Sequence, residues 1–203
     1  MIRLYQIFVQ AKKKAPNKIY QELLSSVQKP LFKRLTDKME KNRELAGLII
    51  MEFFRRSDDL TMSIPYLMPI LVERLNAEDL EGVEGMPDII KPPVATKPQI
   101  MTELIETSEE VRLVLAEIVT VIVSQTVFDC LRAYIDTFVN LIRALCMDPY
   151  GAVIVEGCNA MIEFCSNGGD QLLHFAEGMA RSLFTAFTNK HAKVRIAGLK
   201  AFH

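Results

Sequence analysis

The side chains best placed for chemistry are acidic or amide residues that are followed, six positions later, by an arginine. Such residues just before a helix accept hydrogen bonds from its exposed backbone N–H groups. An arginine one turn inside that helix is a forked donor, which reaches the same acid or the acid of a neighbouring repeat. The pattern therefore predicts structural ion pairing and not bond-making chemistry. Its members are Asp37 with Arg43, Glu106 with Arg112, and Asn189 with Arg195.

A fourth segment departs from this pattern, because Ile154 stands six residues after Asp148. Small residues lie three positions beyond the arginine position in three of the four segments, namely Ala46, Gly157 and Gly198. The remaining segment has Leu115 there, with Ala116 beside it. A missing side chain lets two helices approach closely, so these positions predict contact between the two helices of one pair.

The turns that carry these acids recur at a regular distance. From Glu106 to Asp148 is 42 residues and from Asp148 to Asn189 is 41, within the roughly 40–47 residues of HEAT and armadillo helical pairs. The step from Asp37 to Glu106 is 69 residues, longer by about the length of the Gly- and Pro-rich segment 77–99. We expect that segment to be a flexible insertion. The prediction is an all-α, α-α superhelix of about four to five helical pairs, forming one solenoid segment over residues 1–203.

Apolar spacing places the helices around these turns. They are expected at residues 1–14, 18–36, 40–56, 64–75, 99–106, 108–124, 129–147, 150–166 and 171–188, and from 191 onward. A kink or break is expected near Pro30, and Ser63 is expected to cap the helix that follows it. The apolar pattern is still running at His203, which suggests a fragment of a longer protein. Its open ends predict end-to-end self-association.

Composition excludes several classes of protein. The net charge of −1 argues against a general nucleic-acid binder. The chain contains no uninterrupted stretch of 18 apolar residues, so no membrane span is predicted. A secretory signal is not expected at the N-terminus. Cys130, Cys146, Cys158 and Cys165 lack the spacing of a zinc or redox motif. We expect reduced core thiols in a cytosolic protein.

No catalytic or cofactor site is predicted. The three histidines, at positions 174, 191 and 203, have no ligand spacing to a cysteine or carboxylate, and neither a P-loop nor a nucleophile elbow is present. Glu52 with Glu163, or Glu117 with Glu156, would be paired carboxylates only if folding joined them. The methionine-bearing apolar stripes are expected to pack between helices; they include Met51, Met68, Met161 and Met179.

The pattern of turn acid, arginine and small residue resembles the HEAT-repeat family. Three stretches resemble one subgroup, the HEAT-repeat dynein axonemal assembly factor family: residues 35–44, residues 66–75 leading to 107–113, and residues 148–150 through 175–177 to 190–195. The resemblance covers most of residues 31–201 but only part of that family's longer chain. It implies a cytoplasmic scaffold that preassembles axonemal dynein arms and holds dynein chains or co-chaperones.

Two other functions remain open on the sequence. A generic HEAT adaptor, such as a phosphatase scaffold or a transport receptor, would have the same repeats. A helical enzyme would need perturbed carboxylates in a closed pocket, and the regular repeat argues against one. The partner-binding face is not predicted, because helices of a solenoid expose polar residues on both sides.

Overall fold

A computed structural model describes residues 17–77 and 105–203, and the regular elements within these two ranges are all helical. The helices predicted at residues 1–14 and 99–106 lie outside the described residues, except for Ile105 and Glu106. The predicted insertion at residues 77–99 also lies outside them, except for Ala77.

Ten α-helices occur within the described ranges. In chain order they are α1 (Asn17–Lys33), α2 (Glu40–Phe54), α3 (Ile64–Arg74), α4 (Glu109–Gln125), α5 (Phe128–Leu131), α6 (Ile135–Cys146), α7 (Gly151–Gly168), α8 (Ala176–Ser182), α9 (Phe184–Phe187) and α10 (Ala192–Phe202). Single 3-10 segments cover Arg34–Thr36, Arg132–Tyr134 and Gly169–Phe175.

The helices form two stacked layers. Helices α2, α4, α7 and α10 pack side by side in chain order, and we call them the inner layer. Helices α1, α3, α6, α8 and α9 form the outer layer, in which α3 contacts α1 and α6, and α6 contacts α8. Contacts are more extensive within the inner layer than within the outer layer. The predicted all-α repeat solenoid is confirmed.

A continuous apolar core runs between the two layers. Phe164 of α7 packs against Phe128 and Phe138, with ring centroids 5.5 and 5.9 Å apart. All three rings are buried. The four methionines of the predicted packing stripes are buried as well, which confirms that they pack between helices.

Two glycines let the inner and outer helices of one pair approach closely, Gly157 against backbone and Gly198 against side chains. A Cβ added at Gly157 would lie 2.8 Å from the carbonyl carbon of Leu145 on α6. A Cβ added at Gly198 would lie 2.8 Å from the Cβ of Ala186 on α9. Both distances are shorter than van der Waals contact, so a side chain at either position would force the helices apart.

Several local predictions need correction. Helix α1 continues through Pro30 without a break. Ser63 makes no capping bond, because its backbone is already helical (φ −87°, ψ −29°) and not in the extended conformation of an N-cap residue. Its hydroxyl donates to Gln28 Oε1 at 3.0 Å. The helix expected at 129–147 is interrupted by a 3-10 turn at Arg132–Tyr134. The one expected at 171–188 is a 3-10 segment followed by the short helices α8 and α9.

The prediction of four core thiols is half wrong. Cys146 and Cys158 are buried between α6 and α7, but Cys130 and Cys165 are exposed, and all four are free thiols. A hydrogen bond with Cys158, and then burial, raise the pKa of the Cys146 thiol well above its usual range. The thiol of Cys146 is therefore protonated and behaves as a small core hydrophobe.

Candidate functional site

The predicted charge pairs meet between neighbouring repeats and not within one turn. Arg43 on α2 donates from Nε to Glu106 Oε2 at 2.6 Å and from Nη2 to Oε1 at 2.8 Å. Glu106 precedes α4 and is fully buried. This two-point geometry is the strongest form of arginine–carboxylate contact, and it links the first inner helix to the second.

The same fork recurs one repeat further along. Arg112 on α4 donates from Nε to Asp148 Oδ2 at 2.8 Å and from Nη2 to Oδ1 at 3.1 Å. Arg112 is 4% exposed and Asp148 is 7% exposed. Asp148 precedes α7, so this second fork links α4 to α7.

Each arginine also binds the turn that precedes its own helix. Nη1 of Arg43 donates to the carbonyl oxygens of Asp37 and Lys38. Nη1 of Arg112 donates to those of Glu106 and Thr107, both at 3.1 Å. One guanidinium therefore closes its own turn and holds the carboxylate of the next turn. We refer to these two arginines, their acceptors and the equivalent positions in the other repeats as the ladder.

The ladder has no fork between α7 and α10. Ile154 occupies the arginine position of α7 and is buried, and Asn189 replaces the acid in the turn before α10. The amide oxygen of Asn189 still accepts from the backbone N–H of His191 at 2.9 Å. Ile154 is apolar and Asn189 is neutral, so the missing fork leaves no unpaired buried charge at these two positions.

Asp37 and Arg195 occupy the two ends of the ladder. Asp37 accepts from the backbone N–H of Met39 at 2.9 Å, from Asn42 at 3.2 Å and from Arg34 at 3.1 Å. Arg195 is exposed, and its Nη1 donates to the carbonyl oxygens of Asn189 and Lys190. No ion pair of Arg195 occurs in the part of the chain that the structure describes.

Arg74 is a second cation on Glu106 that the spacing argument missed. It lies in the last turn of α3 and donates from Nη2 to Glu106 Oε2. Arg34, in the 3-10 segment that follows α1, likewise precedes Asp37 and pairs with it, so a basic residue near the end of the outer helical segment is the signal for such a pair. The 69-residue step hid the relation, because Arg74 and Glu106 are 32 residues apart.

The environment of Glu106 keeps its carboxylate ionised. Burial opposes ionisation, but hydrogen bonds from Arg43, Arg74 and the Ser108 backbone N–H outweigh it, and the pKa of Glu106 falls below its usual range. Glu106 in turn raises the pKa of Arg43. Both oxygens of the Glu106 carboxylate accept hydrogen bonds within the fold. The carboxylate is therefore not available to accept a proton from a substrate.

A polar surface runs along the inner layer, on α2, α4 and α7. Its members are Arg55, Glu117, Glu156, Asn159 and Glu163, and we call it the inner face. Arg55 lies 3.8 Å from Glu117, and Asn159 donates to Glu156 at 3.0 Å. Partial burial, and then the charge of Glu156, raise the pKa of Glu117. Folding therefore brings Glu117 and Glu156 near enough for their charges to interact. Glu52 pairs with Arg56 in the turn that follows α2.

Neither a metal centre nor a membrane span is found in the described parts of the chain. Within residues 17–77 and 105–203, no three His, Cys, Asp or Glu side chains come together as a metal ion requires. The helices described there include none that is long and apolar enough to cross a membrane.

Comparison with known proteins gives consistent results along the chain. A family model described as "Dynein axonemal assembly factor 5-like, TPR repeats" matches residues 1–89 and 86–203. Dynein axonemal assembly factor 5 of Xenopus laevis is 27% identical over 187 residues, which are 92% of this chain and 19% of that protein. The protein of the same name from Mus musculus is 26% identical over 171 residues, 84% of this chain and 18% of that protein. The chain thus spans about a fifth of the length of these relatives.

Proposed function

We propose that this chain, which belongs to the dynein axonemal assembly factor 5-like family, is a non-enzymatic scaffold in the cytoplasmic preassembly of axonemal dynein arms. The relatives carry an assembly role in their names. Preassembly takes place in the cytoplasm, so we assign the chain to that compartment. Its partners in this proposal are dynein chains or the co-chaperones that act on them.

The observation that supports a scaffold is how the ladder uses the buried charges. Arg43, Arg112, Glu106 and Asp148 are committed to two-point bonds between repeats. The inner and outer helices stack in an open series, an architecture that presents extended surfaces to protein partners. These features favour binding over catalysis.

We assign partner contact to the inner face. Arg55 follows the C-terminal end of α2, Glu117 lies on α4 and Glu156 on α7, so one bound segment can touch three repeats at once. Glu156, Asn159 and Glu163 share one side of α7, because their spacing of three and four residues matches the helical period. The three carboxylates that α4 and α7 contribute, at positions 117, 156 and 163, suit a basic segment of a partner.

Affinity capture tests the proposed function. The chain, tagged at one end, would be expressed in ciliating cells, and proteins bound to it in the cytoplasmic fraction would be identified by mass spectrometry. An unrelated helical-repeat protein with the same tag is the control. We expect axonemal dynein chains, with or without chaperones, to be enriched at least several-fold over the control.

The capture experiment separates the proposal from a generic adaptor. Enrichment of phosphatase subunits or nuclear transport cargo without dynein chains would leave the helical-repeat fold intact and contradict the dynein assembly role. Enrichment of dynein chains by the control protein to the same degree would also contradict it.

A further inference from the structure

We propose that a groove between outer helices α1 and α3 binds an acidic amphipathic helix of a partner protein. The lysines of the groove pair with carboxylates of that helix, and its apolar wall packs against the apolar side chains beside those carboxylates. The groove lies in the outer layer, whereas the proposed dynein contact lies on the inner face, so the two proposals are independent.

The groove is formed by two adjacent repeats. Its lining consists of Lys29, Phe32, Lys33 and Thr36, from α1 and the 3-10 segment that follows it, and of Tyr66 and Ile70 from α3. The two helices contact each other, and the groove between them has a volume of about 430 Å³. This volume is within the roughly 300–1,000 Å³ of protein binding sites.

The apolar part of the groove is held in place by the core. Phe32 is 1% exposed, and its ring packs edge-on against Phe54, with the ring centroids 6.3 Å apart. Above it, Tyr66 is 45% exposed and Ile70 is half-buried. The groove therefore offers a partner an apolar surface whose base is fixed by packing.

The charged part of the groove is entirely basic. Lys29 and Lys33 are exposed, and neither forms an ion pair within residues 17–77 and 105–203. Nζ of Lys29 lies 4.7 Å from the centroid of the Tyr66 ring, a cation–π contact that keeps this ammonium group at the groove. Among the described residues no carboxylate lines the groove, so its electrostatic complement is an anionic group.

The spacing of the lining residues indicates the shape of the partner. Lys29 and Lys33 are four residues apart on α1, and Tyr66 and Ile70 are four residues apart on α3. The groove thus has a basic row and an apolar row, each with members one helical turn, or about 6 Å, apart. A partner helix matches both rows with acidic residues at i and i+4 and apolar residues at i+3 and i+7.

Neither a nucleic acid nor an anionic membrane surface uses both rows. Two lysines neutralise few phosphates, and recognition of anionic lipids usually takes a larger cluster of basic residues. Both would also leave the apolar row of Tyr66 and Ile70 without a partner. An acidic protein helix is the occupant that contacts the lysines and the apolar side chains together.

The test measures binding of a synthetic peptide to the whole chain by fluorescence anisotropy. The probe is a labelled, alanine-rich helical peptide with glutamates at i and i+4 and leucines at i+3 and i+7. The control peptide has glutamines in place of the glutamates. Lys29→Glu with Lys33→Glu is compared with Lys193→Glu with Lys200→Glu, which makes the same change of charge at exposed positions on α10. Tyr66→Ala tests the apolar row, and thermal melts establish that the variants are folded.

We expect Lys29→Glu with Lys33→Glu to weaken binding of the glutamate peptide by about tenfold or more, and the α10 variant to change it by less than about twofold. Tyr66→Ala should weaken it by about threefold or more. Equal weakening by the two pairs of lysine substitutions, equal binding of the two peptides, or no binding to the unaltered chain would overturn the proposal.

Three further outcomes would overturn it in favour of another occupant. A gain in peptide affinity of about tenfold, when residues 79–103 are replaced by a glycine–serine linker of equal length, would assign the groove to that segment of the chain. Binding to phosphatidylserine vesicles that Lys29→Glu with Lys33→Glu abolishes would assign it to a membrane surface. Self-association of the unaltered chain that the same variant abolishes would assign it to a second copy.

Discussion

At the scale of single residues, the ladder arginines stabilise the fold because their acids are buried. Asp148 is 7% exposed and accepts two hydrogen bonds from Arg112. Removing one partner of such a pair leaves a desolvated charge behind, which costs more than the pair itself contributes.

The first prediction compares Arg112 with Arg195. We expect Arg112→Ala to lower the free energy of unfolding by about 3–5 kcal/mol. Arg195→Ala should lower it by less than about 1 kcal/mol, because Arg195 is exposed and bonds only to carbonyl oxygens. Urea unfolding followed by circular dichroism measures both. Equal losses would mean that the two-point bond to Asp148 contributes nothing beyond closing the turn.

The second prediction concerns pH, and Glu106 and Glu117 act in opposite directions. The pKa of Glu106 is lowered, so its stabilising contribution is complete above the ordinary value of about 4.5 and is lost as the pH falls through the folded-state pKa. The pKa of Glu117 is raised, so its effect on stability becomes more favourable as the pH falls through its folded-state pKa.

Two neutral variants separate these effects. Glu106→Gln should lower the urea midpoint at pH 7 and flatten its decline below about pH 4.5. Glu117→Gln should raise the midpoint at pH 7, since the ion pair with Arg55 is long and half-exposed and contributes little. A lower midpoint for Glu117→Gln at pH 7 would contradict the role given to burial and to Glu156.

The residue spacing identified the members of the ladder but left their partners open. A distance of six residues applies equally to a bond within one turn and to a bond between repeats. The fold decides between them because the carboxylate of the next turn lies beside each arginine. The six-residue spacing missed the contribution of Arg74, because 32 residues separate it from Glu106.

At the scale of elements, glycine determines how closely the helices of a pair approach. Gly157 of α7 faces the backbone of Leu145 and Cys146, whereas the nearest group to a Cβ at Gly178 of α8 would be the Arg143 guanidinium at 3.7 Å. Backbone cannot move aside, but ordinary contact with a side chain is tolerated.

The third prediction follows from these distances. Gly157→Ala should lower the free energy of unfolding by about 1–3 kcal/mol through overpacking. Gly178→Ala should leave it unchanged or raise it by up to about 1 kcal/mol, because alanine favours the helix. Thermal or urea unfolding of the two variants checks this, and a neutral Gly157→Ala would show that α6 and α7 separate easily.

Helix existence was predictable from apolar spacing, but several boundaries were not. The 3-10 segments at Arg132–Tyr134 and Gly169–Phe175 interrupt stretches whose apolar pattern continues. Gly169 adopts a φ of 49°, a left-handed conformation that ends α7. Tertiary packing at these turns outweighs the local periodicity. Packing likewise leaves Cys130 and Cys165 on the exposed side of their helices, although both lie within apolar stretches.

At the scale of the whole molecule, the absence of a fork between α7 and α10 predicts that the repeats do not all unfold together. Forks join α2 to α4 and α4 to α7, but α7 and α10 are joined by packing alone. In stacked repeats each interface contributes separately to stability. Regions with weaker interfaces open at lower free energy.

The fourth prediction is a graded pattern of amide hydrogen exchange. Amides of α10 should exchange through a lower-energy opening than those of α4 and α7. Arg112→Ala should reduce protection in α7 and α10 more than in α2, because it removes the fork that links α4 to α7. A uniform reduction along the chain would contradict independent repeat interfaces.

The all-α solenoid and the family could be predicted from the sequence because repeat period and turn residues are local features. The inner face could not be predicted. It depends on which helices pack side by side, and the spacing of residues along the chain does not determine that packing. The approach of Glu117 to Glu156 across two repeats is a consequence of that stacking.

Charge reversal on the inner face is the measurement that most directly tests the scaffold proposal. Glu117→Arg with Glu156→Arg should reduce capture of dynein chains from ciliating cells by about tenfold or more. The basic segment of the partner would then face two arginines in place of two carboxylates. Glu22→Arg on the exposed surface of outer helix α1 should leave capture unchanged. Matching thermal melts would establish that both variants are folded. Equal capture by both variants would contradict the assignment of partner contact to the inner face.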